Sequence, residues 1–220
     1  MANKAVFWDR DGTLIKHHDY LTRVEDVELV RGASGAIKYL KDRGYKAVVV
    51  TNQSAVARGM ITEKELGEIN RRFTSLLVRE GAYIDKLYYC PFHPEAVVDE
   101  YRQESELRKP SPGMLLKAAE ELDLDLSQCW MIGDDDRDIL AGQAAGCRTI
   151  LIQVRSTELV RRGNAKPDFV ACNPQEAANI VAHYGNKPSA PTTETQVGGG
   201  GANVDTQAQE QKEQPEPEPE

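Results

Sequence analysis

Short apolar runs alternate with stretches of helical spacing along most of the chain. The apolar runs predict six strands, at 4–8, 45–50, 86–90, 129–132, 149–154 and 169–171. The stretches between them predict helices at 32–43, 62–81, 112–122, 136–145 and 174–183. Strands that alternate with helices need crossover connections. The pattern therefore favours an α/β fold with a Rossmann-like parallel sheet and helices on both faces.

Capping residues mark several of the predicted helix ends. Thr62 precedes Glu65 at the spacing of a capping box, and Gly44 follows the first helix as a C-cap would. Asp136 is a candidate N-cap for the helix at 136–145, and Asp138 falls in the first turn of that helix, where negative charge is favoured. Local chemistry and apolar spacing thus predict the same helices.

Polar side chains follow three of the predicted strands at their carboxyl ends. Asp9 and Asp11 follow the first strand, Thr51-Asn52-Gln53 the second and Gly133-Asp134 the fourth. Ligands of open parallel sheets bind beyond the carboxyl ends of the strands. This placement predicts an active site at that edge of the sheet.

The segment Asp9-Arg10-Asp11-Gly12-Thr13 places two carboxylates close together directly after a buried strand. Such a pair is costly unless a cation or a transferable proton compensates it. A carboxylate nucleophile, a second carboxylate for proton transfer and a Mg²⁺ ion would account for these residues. The alternative is a solvated Asp-Gly turn at a strand end.

Other polar segments extend this hypothesis to phosphoryl transfer. Thr51 could donate its hydroxyl to a phosphoryl oxygen, or it could simply end its strand. Lys109 could offset phosphate charge and keep Asp9 ionised, although 108–112 could also be an ordinary basic loop. An acidic cluster follows Gly133 and consists of Asp134, Asp135, Asp136 and Asp138. One of these carboxylates could complete a Mg²⁺ site with Asp9 and a carbonyl oxygen.

Composition limits the classes of function. The net charge of -8 argues against general nucleic-acid binding, and no apolar run reaches the roughly 20 residues of a membrane helix. The chain enters its first strand without a signal peptide, and its four cysteines are scattered, so we expect a cytoplasmic protein with reduced thiols. We expect one domain at 1–185 and a disordered Gly/Gln/Pro/Glu-rich tail at 186–220, either a solubilising segment or a partner tether.

Taken in this order, Asp9-Arg10-Asp11-Gly12-Thr13, Thr51, Lys109 and Gly133-Asp134 resemble the motifs of the haloacid dehalogenase superfamily of phosphatases. The resemblance covers about residues 4–182. It implies a Rossmann-like sheet and Mg²⁺-dependent phosphatase chemistry. No insertion after Thr13 or before Tyr83 is long enough for a cap domain, so a capless member is expected.

The segments 51–59, 88–91, 93–94 and 108–110 are similar, more narrowly, to phosphatases of D-glycero-D-manno-heptose 1,7-bisphosphate, which are related to histidinol phosphatases. The resemblance implies that Asp9 is the nucleophile and Asp11 the proton donor, and that Thr51 and Lys109 steady the phosphoryl group. It also implies Mg²⁺ bound by Asp9, the carbonyl of Asp11, and Asp134. It further implies substrate contacts from a set of loop residues, namely His17, His18, Asp19, Tyr20, Asn52, Gln53, Ser54, Arg108 and Asp135.

Two departures from this subfamily stand out. Many relatives bind a structural zinc through a Cys-x-His pair and a later Cys-x-Cys pair, where this chain reads Cys90-Pro91-Phe92 and Ser105-Glu106-Leu107. Three of the four ligands are therefore missing. Cys90 and His93 alone cannot form a tetrahedral site, so we expect no zinc. Asp135 stands where these phosphatases typically carry lysine, which casts doubt on the substrate more than on the chemistry.

The leading hypothesis is a small sugar-phosphate phosphatase, with the C7 phosphate of the heptose bisphosphate as its target, and we expect a monomer. A histidinol-phosphate or other phosphomonoester phosphatase is the second enzyme hypothesis. A non-catalytic scaffold is a third, which the intact set of acidic and basic residues opposes. A phosphotransferase is a fourth, which the missing cap opposes because water must be kept from an aspartyl phosphate.

Overall fold

The structure, a computed structural model, describes residues 3–153 and 165–185. The strands are β1 (Lys4–Trp8), β2 (Tyr45–Asn52), β3 (Lys86–Cys90), β4 (Trp130–Gly133), β5 (Arg148–Ile152) and β6 (Phe169–Ala171). The helices are α1 (Ala33–Lys41), α2 (Ser54–Ala57), α3 (Glu63–Arg79), α4 (Gly113–Leu122), α5 (Asp136–Ala144) and α6 (Pro174–Tyr184). Single 3-10 turns occupy Val24–Asp26, Asp99–Tyr101 and Leu126–Gln128.

All six strands are parallel and lie in the order β3-β2-β1-β4-β5-β6. The chain builds outward from β1 through β2 and β3. It then crosses back to place β4 on the other side of β1. The strand order therefore reverses beside β1, which is where doubly wound sheets bind their ligands. The predicted parallel α/β fold is confirmed.

Both faces of the sheet are buried, because alternate residues of each central strand point to opposite sides. Val6 and Trp8 of β1 belong to a core cluster with α1, α3 and α6, whereas Ala5 and Phe7 belong to a second cluster with α4 and α5. Burying one large apolar side chain stabilises a fold by roughly 1.5–3 kcal/mol. Apolar packing on both faces thus holds β1 rigidly at the centre of the sheet.

The observed elements follow the predicted ones closely, with a few corrections. The Thr62–Glu65 capping box is confirmed at the start of α3. α2 was not predicted, because four residues are too few to show helical spacing. Asp42, rather than Gly44, is the C-cap of α1. The prediction of Asp136 as N-cap of α5 was wrong, since that role belongs to Asp135.

Two loops follow the carboxyl ends of β1 and β3. The segments 9–32 and 91–112 contain single 3-10 turns, with isolated β-bridges in the first, and the strands of the described residues form one sheet. These are features of the capless arrangement predicted above. In the described part of the chain, none of the helices has both the length and the apolar character of a membrane span. Val154 and the predicted tail at 186–220 lie outside the described residues.

Candidate active site

Three neighbouring strands deliver the acidic and hydroxyl groups of the candidate site. Asp9 follows β1 directly, and its amide donates to the carbonyl of Ile132 in β4 at 2.9 Å. Thr51 is the penultimate residue of β2 on one side of β1, and Asp134 follows β4 on the other side. The strand order thus gathers residues that are far apart in sequence.

Lys109 is buried at the centre of this group, only 3% exposed. The side chain of Asn52 makes two hydrogen bonds to the backbone of Lys109. It donates to the Lys109 carbonyl at 2.9 Å and accepts from the Lys109 amide at 3.1 Å. The ammonium group donates to Asp9 Oδ1 at 2.6 Å and to the Val50 carbonyl at 2.7 Å, and it lies 2.6 Å from Asp138 Oδ1. Since an ammonium has three donors, these three partners can use all of them.

Asp138 is the site residue that the sequence analysis missed. It lies in the first turn of α5 and is 2% exposed. Its Oδ1 pairs with Lys109, while its Oδ2 accepts from the Asp135 amide at 3.1 Å. The Asp135-x-x-Asp138 spacing is that of a capping box, and this signal would have indicated that Asp138 turns back toward the end of β4.

Two glycines make room for the carboxylates. Gly12 has a φ of 86°, and a Cβ there would overlap the carboxylate of Asp134. A Cβ on Gly133 would overlap the carboxylate of Asp138 in the same way. Any larger residue at either position would therefore push an acid out of the site.

The carboxylates of Asp9, Asp134 and Asp138 form a group that fits a divalent cation. Each offers an oxygen within 4.8 Å of the others. Three carboxylates face a single ammonium, that of Lys109, so the cluster carries an excess of about two negative charges when fully ionised. Mg²⁺ prefers oxygen ligands and carries the compensating charge. The donor set therefore fits magnesium. The Asp11 carboxylate lies outside this group, and the resemblance assigned only its main-chain carbonyl to the metal.

Burial and mutual repulsion perturb the titration of this cluster. Burial raises the pKa of Asp9 well above its ordinary value, the Asp138 and Asp11 carboxylates add to the effect, and Lys109 opposes it. Burial and the carboxylates of Asp9 and Asp138 likewise raise the pKa of Asp134. Burial alone would lower the pKa of Lys109, but the attraction of Asp138 and Asp9 outweighs it and raises that pKa. The ammonium is thus firmly charged, while the acids need a further cation to ionise fully.

The Asp11 carboxylate is held by the side chains of Gln53, Thr51 and Arg10. Its Oδ2 accepts from Gln53 Nε2 at 2.7 Å and from the Thr51 hydroxyl at 3.3 Å. The Arg10 guanidinium contacts both of its oxygens. Gln53 also donates to Thr51 Oγ1 at 2.8 Å. Thr51 and Gln53 therefore orient Asp11. Both were predicted from the sequence to contact the substrate or its phosphoryl group.

The remaining predicted substrate residues divide by exposure. His17, Asp19 and Tyr20 are exposed in the loop after β1, and His18 is half-buried beside them. Ser54 is half-buried at the first position of α2. The contact of these five side chains with substrate stays a prediction.

Asn52, Arg108 and Asp135 have structural partners of their own. The side-chain amide of Asn52 is hydrogen-bonded to the backbone of Lys109. Arg108 donates to the Phe92 carbonyl at 3.1 Å. Asp135 caps α5 and accepts from Arg137 at 2.7 and 3.1 Å. Asp135 is therefore neutralised by Arg137, which limits the charge it presents to a phosphate.

The loop after β3 is fixed by its own side chains and carbonyls. Phe92 and Tyr101 are in ring contact, with centroids 6.1 Å apart. Buried Cys90 points its thiol at the Phe92 carbonyl at 3.9 Å, and the Nδ1 atom of His93 accepts from the Glu95 amide at 3.0 Å. Packing and local hydrogen bonds thus involve both Cys90, which remains from the zinc pattern, and the nearby His93.

Known proteins resemble this chain over most of its length. Residues 106–177 match the model of the HAD-hydrolase-like family. The D-glycero-beta-D-manno-heptose-1,7-bisphosphate 7-phosphatase of Haemophilus ducreyi is 38% identical over 77% of this chain and 93% of its own length. The enzyme of the same name from Yersinia pestis is 37% identical over 76% of this chain and 88% of its own length.

Solved structures give the same result. A Mesorhizobium loti protein described as a HAD-like phosphatase superposes with a TM-score of 0.73 and 31% identity, covering 86% of this chain and 90% of that one. The D,D-heptose 1,7-bisphosphate phosphatase of B. bronchiseptica, solved with magnesium and phosphate, gives a TM-score of 0.68 and 26% identity, covering 82% and 98%. The fold, the acidic cluster and these similarities point to one family.

Proposed function

Because the chain belongs to the haloacid dehalogenase superfamily of magnesium-dependent phosphomonoester hydrolases, we propose that it removes the C7 phosphate of D-glycero-D-manno-heptose 1,7-bisphosphate. The observation that carries the chemistry is the contact of buried Asp9 with Lys109 inside a cluster of carboxylates that fits a divalent cation. The names and the identity of the relatives support the choice of sugar.

Asp9 is the nucleophile in this proposal. One of its carboxylate oxygens forms a bond to phosphorus, and the bond from phosphorus to the sugar oxygen breaks, leaving an aspartyl phosphate. Lys109 offsets the charge of the phosphoryl oxygens as Asp9 gives up its own negative charge. Asp9, the Asp11 carbonyl and Asp134 would hold Mg²⁺ in this proposal, and the bound ion would supply positive charge that polarises the phosphoryl group.

Asp11 transfers the protons. It protonates the sugar oxygen as that oxygen leaves, and then takes a proton from the water that attacks the aspartyl phosphate. The second step breaks the bond between phosphorus and Asp9, which restores the free carboxylate. The Thr51 hydroxyl, which contacts Asp11 Oδ2 at 3.3 Å in the substrate-free structure, donates instead to a phosphoryl oxygen when substrate is bound.

Arginines beside the predicted substrate-binding residues favour a substrate that carries a second phosphate. Arg58 lies over the Tyr20 ring at 5.5 Å, and its buried Nε has no hydrogen-bond partner among the described residues. Burial and the nearby guanidiniums of Arg137 and Arg58 lower the pKa of Arg108, despite the opposing influence of Cys90 and Glu104. An anion bound beside these guanidiniums would reduce the repulsion between them.

The same charges disfavour histidinol phosphate. Its free end carries an amine and an imidazole, which would meet like charge at Arg58 and Arg108. A bisphosphate instead brings a second anion to these side chains. We therefore place the sugar bisphosphate first, with His17, His18, Asp19 and Tyr20 as its loop contacts and Ser54 beside them.

The finer properties of the protein belong to the same proposal. A capless domain that completes its own acidic cluster can act as a monomer, and its small sugar-phosphate substrate is consistent with cytoplasmic carbohydrate metabolism. The negative net charge opposes binding to nucleic acid. We expect no structural zinc in the loop after β3. Elemental analysis of the purified protein would reveal a stoichiometric zinc signal if this expectation were wrong.

The direct test is phosphate release in the presence of Mg²⁺. The heptose bisphosphate is compared with histidinol phosphate and fructose 1,6-bisphosphate at matched concentrations, and kcat/KM is measured for each. A clear preference for the heptose supports the proposal. Equal or lower activity on the heptose would refute the substrate while leaving the phosphatase chemistry in place.

A further inference from the structure

Arg10 stands between the two aspartates of the first motif and is fully buried. Its exposed fraction is 0%, and it is among the largest side chains to be completely enclosed. Removing a guanidinium from water is costly unless its donors are satisfied by well-placed acceptors. The partners of Arg10 therefore indicate what this expensive residue does.

Asp11 is the carboxylate that Arg10 contacts. Arg10 Nε donates to Oδ2 at 3.1 Å, while Nη2 donates to Oδ1 at 3.0 Å and also lies 2.9 Å from Oδ2, so the guanidinium engages both oxygens and restricts the orientation of the carboxylate. The third nitrogen, Nη1, donates to Asn70 Oδ1 at 2.6 Å. Asn70 lies in the middle of α3, so the guanidinium is anchored from outside the motif.

These contacts distinguish the two oxygens of Asp11. Oδ2 accepts from Gln53, from Arg10 and more weakly from Thr51. Among the described residues, Oδ1 accepts only from Arg10 Nη2. A carboxylate oxygen has two lone pairs, so Oδ1 keeps one for a proton.

We infer that Arg10 is a positioning residue, anchored by Asn70, that presents Asp11 Oδ1 for proton transfer to the leaving oxygen. This inference rests on the proposed function, in which Asp11 protonates the sugar oxygen as its bond to phosphorus breaks. Small errors in the placement of such a group are expensive in rate. An ion pair that served stability alone would not need Asn70 or an asymmetric carboxylate.

The test exploits leaving groups that differ in their need for a proton. p-Nitrophenolate leaves without protonation, phenolate needs some assistance, and the benzyl alcohol oxygen needs a full proton. For each of these three phosphate esters, kcat/KM reports the steps up to transfer of phosphate to Asp9. The variants are Arg10→Lys, which keeps the charge but loses the two-pronged geometry, and Asn70→Ala, which removes only the anchor.

We expect both variants to lower kcat/KM for benzyl phosphate on the order of tenfold, while p-nitrophenyl phosphate changes less than about twofold and phenyl phosphate falls between. Ser75→Ala, at an exposed position of α3, is the matched control and should leave the three esters unchanged. Half-buried Asn70 keeps the test available if Arg10→Lys fails to fold.

The outcomes separate this inference from the function beneath it. If all three esters lose activity in parallel, or none does, Arg10 does not position Asp11 for proton transfer. If the wild-type protein hydrolyses neither these esters nor the heptose bisphosphate, the proposed function itself fails, and this inference fails with it.

Discussion

Lys109 Nζ lies 2.6 Å from Oδ1 of Asp138, and both side chains are almost completely buried. Asp138 also accepts from the Asp135 amide, so the first turn of α5 is tied to the lysine that contacts Asp9. Asp138 therefore helps to hold the ammonium beside the nucleophile. The position of Lys109 depends on a residue outside the predicted site.

Asp138→Asn tests this dependence. The amide keeps a similar shape but removes one of the two negative charges that hold the buried ammonium. We expect turnover to fall on the order of tenfold to a hundredfold, and the free energy of unfolding to fall by about 1–3 kcal/mol. Steady-state kinetics and urea denaturation measure the two effects. Asp26→Asn, at an exposed position, is the control, and an Asp138→Asn protein that behaved like it would contradict the assignment.

Asp9→Asn tests the covalent step. An amide cannot form the aspartyl phosphate, so we expect phosphate release to fall on the order of a thousandfold or more. Asp42→Asn, at the exposed end of α1, controls for the loss of a carboxylate elsewhere. Near-normal phosphate release by Asp9→Asn would show that another group attacks phosphorus.

Magnesium binding should depend steeply on pH. In the metal-free protein, burial and neighbouring carboxylates raise the pKa of Asp9 to about 7 and that of Asp134 to about 8. Both groups must lose their protons to bind the ion, so binding releases protons below those values. We expect the apparent Kd for Mg²⁺ to rise roughly tenfold for each proton displaced per pH unit as the pH falls from 8 to 6.

Calorimetric titration at several pH values measures this dependence, and chelation followed by Mg²⁺ addition should abolish and restore turnover. The same pKa shifts predict the sign for stability. Between the unfolded and folded pKa values, the metal-free folded state binds more protons than the unfolded state, so its free energy of unfolding falls as pH rises. A pH-independent Kd would mean that these carboxylates are already ionised without the metal.

Asp135 offers a test that separates helix capping from substrate binding. Asp135→Ala removes the cap of α5 and should lower the free energy of unfolding by about 1 kcal/mol, whereas Asp135→Asn retains a capping side chain. Both changes remove negative charge and release Arg137, so we expect a severalfold lower KM for the heptose bisphosphate. If KM is unchanged in both variants while stability responds, Asp135 serves only the helix.

The sheet could be predicted because its information is local. β1 and β2 are strongly apolar, and the start of α3 is marked by a capping box, so neighbouring residues suffice to identify these elements. The meeting of Asp9, Asp11 and Asp134 at one edge of the sheet was also predictable, since parallel strands bring their carboxyl ends together.

The supporting contacts could not be predicted because they join distant parts of the chain. Negative charge is favoured in the first turn of a helix, and this local effect alone was enough to explain Asp138. Its ion pair with Lys109 was therefore not predicted. The anchor of Arg10 could not be identified from the sequence, since Asn70 lies 60 residues away on another element. Asn52 and Gln53 stand where substrate contacts were predicted, yet the positions of Lys109 and Asp11, which they hold, emerge only from the folded structure.

The pairing of β1 with β4 joins segments separated by more than a hundred residues, with Val6 opposite Trp130. Asp9 and Asp11 come from the first half of the sheet, while Asp134 and Asp138 come from the second, so neither half contains a working centre. Recovery of turnover after denaturation should therefore lag behind the return of helical signal. The rate at which enzyme activity returns during refolding then reports the docking of the two halves of the sheet, because such long-range contacts form slowly compared with local ones.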